Sequence, residues 1–148
     1  MFSSDRDSIR RQYVDTWRKY RAAKPLTPLG GMIARVIEDH PEYHGLLEGG
    51  GSVLGREFPP EDGDTNPFLH MGMHLALREQ VGTDRPPGVH AAYRRLTHAT
   101  GDRLEAEHLV MAPLAEVLWQ AQRTGRPPDE QAYLAALRLL VAGRRPRP

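Results

Sequence analysis

Glycine and proline breaks constrain the fold of this chain more than any other feature of its sequence. The 148 residues include 14 glycines and 13 prolines, many of them in short stretches such as KPLTP, EGGGSVLG, DRPPG and TGRPP. Between these breaks, apolar residues recur at the three- and four-residue spacing of amphipathic helices, and no segment alternates like a half-buried strand over a useful length. The sequence therefore predicts an all-α fold.

Capping residues place the starts of the helices. Thr27 and Asn66 each precede a proline, and Asp102 and Asp129 each precede a periodic apolar segment, which are the usual signs of a helix N-terminus. The predicted helices cover about residues 5–23, 67–81, 89–100, 103–123 and 130–143, and a further helix begins at residue 28. We expect a single-domain bundle of five or six helices over residues 1–143, followed by a basic flexible tail at residues 144–148.

Pro41 leaves the course of the second helix open. It stands between His40 and His44 in the stretch HPEYH. If the helix continues through Pro41, both imidazoles share its apolar face. If it breaks there, His40 closes one helix and His44 begins the next. The following Gly/Pro-rich loop, residues 48–64, is long enough to suggest a functional role.

Composition excludes several classes of protein. The absence of cysteine excludes disulfides, thiolate metal ligands and a cysteine nucleophile. The net charge of +1 gives no general attraction to nucleic acid or acidic lipid. The start MFSSDRDSIRR lacks the apolar region of a signal peptide, and no apolar run has the length of a membrane span. We expect a cytoplasmic protein without nucleic-acid or membrane partners, whereas a small-molecule substrate and a homo-oligomer are compatible with the sequence.

Two histidines in NPFLHMGMH are the main functional signal. His70 and His74 lie one turn apart on the same face of a helix that carries Phe, Leu and Met on its other sides. A helix that is apolar all round is buried, and burial lowers the pKa of histidine and keeps it available as a ligand. Two imidazoles at this spacing can bind one metal ion. The alternative is a pair of core histidines that are hydrogen-bonded to carbonyls or carboxylates.

The helix over residues 103–123 offers further candidate ligands. Glu107 falls on its apolar stripe, where a carboxylate is costly unless it is paired or binds a metal, and His108 flanks that stripe. Glu105 and His108 have the ExxH spacing of di-iron carboxylate bundles. The alternative is that these are surface groups. We predict a metal site with ligands drawn from six residues: His70, His74, Glu107, His108, His40 and His44. Such ligands suit iron, zinc or manganese, which the sequence does not distinguish.

Four stretches of the chain resemble a bacterial family described only as a domain of unknown function: SDRDSIRRQYVDTWRKYRAAKPLTPL, HPEYHGLLE, NPFLHMGMHLALREQ and EAEHLVMAPLAEVLWQAQRTGRPPDEQAYLAALR. The resemblance spans nearly the whole chain and extends to the six predicted ligands. It implies membership of that family, and it implies no mechanism, because no activity is established for the family.

The sequence supports three functional hypotheses. The leading one is a helical metal-binding protein, with a non-haem iron or di-metal enzyme as its catalytic form and a His/Glu site in the bundle core. The second is a metal-free interaction or adaptor module whose histidines are satisfied core groups. The third is non-covalent haem binding by a histidine pair with Met71 or Met73, because the CxxCH attachment motif is absent. No catalytic residue is assigned.

Overall fold

The computed structural model describes residues 2–49, 53–58 and 66–143, and these residues form α-helices, short 3-10 segments and no β-strand. The all-α prediction is confirmed. The helices are α1 (Phe2–Arg21), α2 (Pro28–Glu38), α3 (His44–Glu48), α4 (Pro67–Thr83), α5 (Val89–Thr100), α6 (Arg103–Thr124) and α7 (Glu130–Ala142), with the 3-10 turn at Pro41–Tyr43. Within the described residues, none of these helices has both the length and the apolarity needed to cross a bilayer. The predicted tail at residues 144–148 lies outside the described residues.

The predicted count of five or six helices is wrong, because the described part of the chain contains seven. The additional helix arises at Pro41. Helix α2 ends at Glu38, and His40 leaves the helical region with φ −127° and ψ 66°. Pro41 begins a single 3-10 turn, and His44 begins the separate helix α3. A proline lacks the N–H that a continuing helix needs and disfavours helical geometry in the residue before it, so the helix is broken here and not merely kinked.

The predicted N-terminal caps are confirmed. The Asn66 side chain accepts hydrogen bonds from the backbone N–H groups of Phe68 and Leu69, at 3.0 and 3.2 Å. The side chains of Thr27, Asp102 and Asp129 cap α2, α6 and α7 in the same way. Each cap satisfies N–H groups that have no partner inside the helix, which explains why the helix starts can be read locally from the sequence.

The chain is divided into two compact units, residues 1–75 and residues 76–148. Helix α4 begins in the first unit and ends in the second. In the first unit, α1 packs against α2 and α3 around a core of buried side chains: Tyr13, Trp17, Ile33, Val36, Ile37, Leu47, Val53, Phe68 and Met71. In the second unit, α5, α6 and α7 pack against one another. The single domain expected over residues 1–143 stays a prediction.

Arg10 attaches residues 53–58 to helix α1. Its side chain is buried, and its Nη1 donates hydrogen bonds to the backbone carbonyls of Val53, Leu54 and Arg56, at 3.2, 3.1 and 2.6 Å. The guanidinium carbon also lies 5.0 Å from the centre of the Phe68 ring, a cation–π distance. Burial lowers the pKa of Arg10. Part of the long loop predicted at residues 48–64 is therefore held by a buried arginine, and residues 50–52 and 59–65 lie outside the described part.

Candidate metal centre

Three histidines of the first unit lie together, and we call them the histidine cluster: His40, His70 and His74. His40 follows the end of α2, and the other two project from α4. The centre of the His40 ring lies 5.1 Å from that of His70 and 4.5 Å from that of His74, and the last two centres are 4.8 Å apart. Each ring offers one nitrogen that lies within 4.8 Å of one nitrogen of each other ring. Nitrogens this close need only small ring rotations to reach the separation of about 3.3 Å that a tetrahedral ion requires.

The break at Pro41 determines how His40 is oriented. In a continued helix, the backbone N–H of residue 40 would bond to the carbonyl of Val36. In this chain that carbonyl lies 2.6 Å from Nδ1 of the His40 ring. Because a carbonyl only accepts, Nδ1 carries the proton, and in the neutral ring the lone pair is on Nε2. This nitrogen is buried and has no hydrogen-bond partner in the described structure. A ring that donates through one nitrogen to a backbone carbonyl and keeps the other free is typical of a metal-binding histidine.

His70 and His74 have the spacing that the HMGMH stretch predicts. Their Nε2 atoms are 3.2 Å apart. Two nitrogens bound tetrahedrally to a zinc-like ion, at the usual bond length, are about 3.3 Å apart, and a hydrogen bond between two neutral rings has a similar length. His74 is fully buried, whereas His70 is half-buried. The apolar composition of α4 suggested that the helix is buried on all sides. It is not, because Leu69 is 66% exposed.

His44, the second histidine of HPEYH, points elsewhere. Its Nε2 lies 2.7 Å from the backbone carbonyl of Ile37, and its ring centre lies 4.4 Å from that of Trp17. The imidazole thus supplies a donor to a carbonyl in the last turn of α2, where carbonyls lack partners within the helix. Pro41 therefore separates the two histidines, and only His40 belongs to the cluster.

The candidates on α6 lie in the second unit. Glu107 is buried, as its place on the apolar stripe predicted. Arg78 donates to its carboxylate through Nε at 3.1 Å and through Nη2 at 3.2 Å, and the hydroxyl of Tyr93 donates to it at 3.2 Å. An internal cation thus compensates the buried charge. His108 and Glu105 are exposed, and the ligand roles predicted for Glu107 and His108 stay predictions.

The sequence did not reveal two residues: Arg78, which pairs with Glu107, and Tyr43, which lies beside the histidine cluster. Arg78 stands four residues after His74, so the spacing that links the two histidines of α4 is a signal that could have found it. Tyr43 lies inside HPEYH. Its ring is nearly parallel to that of His40, with 5.7 Å between their centres, and its centre is 6.2 Å from that of His70. Burial raises the pKa of the Tyr43 hydroxyl.

The family described as Domain of unknown function (DUF1841) has a model that matches residues 5–139. The matched range includes the histidine cluster and all six predicted ligands. Comparisons with curated proteins and with solved structures give no match.

Proposed function

The chain belongs to the DUF1841 family, a domain of unknown function, and we propose that it binds one transition-metal ion through His40, His70 and His74. The proposal depends above all on His40. His40 is 2% exposed, one of its ring nitrogens lies at the carbonyl of Val36, and the other is buried without a hydrogen-bond partner in the described residues. A buried polar atom without a partner costs free energy, and a metal ion would satisfy it.

The composition of the cluster supports a nitrogen-binding ion. Imidazole ligands suit zinc, iron, copper and nickel, whereas manganese and magnesium favour oxygen ligands. Among the ions expected from the sequence, the cluster therefore favours zinc or iron. Three nitrogens in one place also support a single ion more than a di-metal centre, which usually requires bridging carboxylates.

The other histidines of the chain serve as an internal comparison with the adaptor hypothesis. That hypothesis expects each imidazole to be satisfied by protein groups. His44 and His90 match this expectation, because each has a ring nitrogen at a backbone carbonyl, that of Ile37 at 2.7 Å and that of Val81 at 3.1 Å. His40 also has one ring nitrogen at a backbone carbonyl, but it does not match the expectation, because its second nitrogen is buried and has no hydrogen-bond partner in the described structure. The contrast favours metal binding.

Three protein ligands would leave a coordination position for water or a substrate. Catalytic zinc sites commonly combine three protein ligands with one exchangeable position, and an ion in such a site can polarise a bound oxygen or activate water. We therefore propose, more specifically, that the metal centre is catalytic and of the non-haem type.

Metal analysis of untagged protein, prepared without chelators, tests the proposal. We expect one equivalent of zinc or iron and no Soret band in the absorption spectrum. A Soret band would instead support the haem hypothesis. Lack of metal after reconstitution with each candidate ion would support the adaptor hypothesis.

Substitution of the cluster makes the test specific. The double variant His70→Ala, His74→Ala should lose stoichiometric metal, because it removes two of the three nitrogens. His98→Ala is the matched control, since it removes an exposed imidazole on α5 and should keep its metal. Unchanged metal in the double variant would overturn the assignment. His108→Ala, measured in the same series, tests the ligand role predicted for His108 from the sequence.

A further inference from the structure

We infer that the metal ion of the histidine cluster takes a small, exchangeable anion as an additional ligand. The inference rests on the proposed function, and it specifies the class of molecule that the centre binds. Its basis is the charge of the cluster together with its burial.

The cluster supplies no negative charge. His40, His70 and His74 bind a metal as neutral imidazoles, so a divalent ion held by them keeps its full charge of two. The group that the described residues of the first unit bring together contains histidines and no aspartate or glutamate. The metal centre therefore differs from carboxylate-rich sites, in which the ligands themselves neutralise the ion.

Burial makes this unbalanced charge costly. His40 is 2% exposed and His74 is 0% exposed, so little water is available around their side of the ion. A buried charge is tolerated when it is paired with an opposite charge. An anion bound directly to the ion provides that pairing without any further protein group.

The size of the anion follows from what surrounds the cluster. His70 is the one half-buried member, and the half-buried ring of Tyr43 stands beside both His70 and His40. The approach to the ion therefore lies beside an aromatic ring, which favours a compact anion. Hydroxide from water and a small carboxylate share the required chemistry.

Cobalt(II) substitution provides the test, because the visible d–d absorption of cobalt reports on its ligands. The 148-residue protein is loaded with one equivalent of cobalt(II), and sodium azide is titrated into it at constant pH near neutrality. We expect a saturable change in the d–d bands. The same titration with sodium acetate present separates the two sources of the anion. Weaker apparent azide affinity would assign small carboxylates, and unchanged affinity would assign anions of hydroxide size.

The controls separate failure of this inference from failure of the proposed function. Protein-bound cobalt bands that do not change with azide would overturn the anion ligand and leave the metal centre intact. A spectrum identical to that of free cobalt(II) would overturn the metal centre and the inference with it. His98→Ala should respond like the unmodified protein, and the double variant His70→Ala, His74→Ala should show neither the protein-bound bands nor the azide response.

Discussion

Glu107 in the second unit and His40 in the first unit are buried to a similar extent, with 1% and 2% of their surfaces exposed. The carboxylate of Glu107 is surrounded by donors from its own unit, including the guanidinium of Arg78 and the hydroxyl of Tyr93. The imidazole of His40 uses one nitrogen and leaves the other without a partner among the described residues. The first arrangement is complete without a ligand, whereas the second is completed by one. For His40, the unsatisfied nitrogen occurs together with the nearby rings of His70 and His74, and this combination indicates a ligand site.

The largest effect on stability is expected at Glu107. Replacement by alanine leaves the guanidinium of Arg78 without its buried counter-ion, which should lower the free energy of unfolding by about 3–5 kcal/mol. Glu107→Gln should cost less, since it keeps the shape and one acceptor. Urea unfolding measures both. Glu105→Ala, exposed on the same helix, is the control and should change little. Loss of metal from folded Glu107→Gln would contradict a purely structural role and support the ligand role predicted from the sequence.

Metal removal should have the next largest effect. An ion that binds only the folded chain stabilises it by about 2.7 kcal/mol when its free concentration is one hundred times the Kd. Thermal unfolding with and without a chelator measures this difference in the unmodified protein. In the double variant His70→Ala, His74→Ala the chelator should have no effect. An equal shift of Tm in both proteins would show that the metal acts elsewhere.

Tyr43 should influence the metal centre through its ring. Removal of groups that orient ligands typically lowers metal affinity by about 10- to 100-fold, and we expect Tyr43→Ala to fall at the lower end of that range because His40 is also held by Val36. Tyr43→Phe keeps the ring that packs against His40 and should bind metal normally. Competition with a chromogenic chelator measures the Kd. A loss of affinity in Tyr43→Phe would show that the hydroxyl, and not the ring, is required.

The smallest effect is expected from Tyr93→Phe, and it depends on pH. Burial, together with the nearby carboxylate of Glu107, raises the pKa of Tyr93 from 10.0 to about 12. The folded state therefore holds the phenol proton more tightly than the unfolded state. This contribution to stability is complete below pH 10.0 and is lost as the pH rises towards about 12. The stability of Tyr93→Phe should fall less steeply over this interval, and parallel curves for the two proteins would contradict the assignment.

The sequence predicted most helices because their signals are local. Thr27, Asn66, Asp102 and Asp129 cap helices that begin where expected. The separate helix α3 was one of two alternatives that the sequence left open, because a proline can either bend or end a helix. Periodicity also indicates an apolar face without showing how deeply it is buried. For this reason helix α4 was expected to be buried on all sides, whereas its Leu69 is exposed.

Part of the candidate site was also predictable, because part of its signal is local in the sequence. His70 and His74 lie on one helix, so their proximity follows from the helical repeat alone. The approach of His40 to them depends on where α2 ends and how the chain turns at Pro41. The pairing of Glu107 with Arg78 joins residues 29 positions apart, and the sequence signalled the burial of the carboxylate but not the identity of its counter-ion.

The proline after His40 also acts on the chain before it folds. In the unfolded ensemble, Pro41 has a fixed φ, and the residue before a proline is largely excluded from helical conformations. His40 therefore samples fewer backbone states and has less conformational entropy to lose when it takes its place, and effects of this kind are worth about 0.4–1 kcal/mol. Part of the preorganisation of the histidine cluster is in this sense already present in the disordered chain, encoded by one residue that contacts no ligand itself.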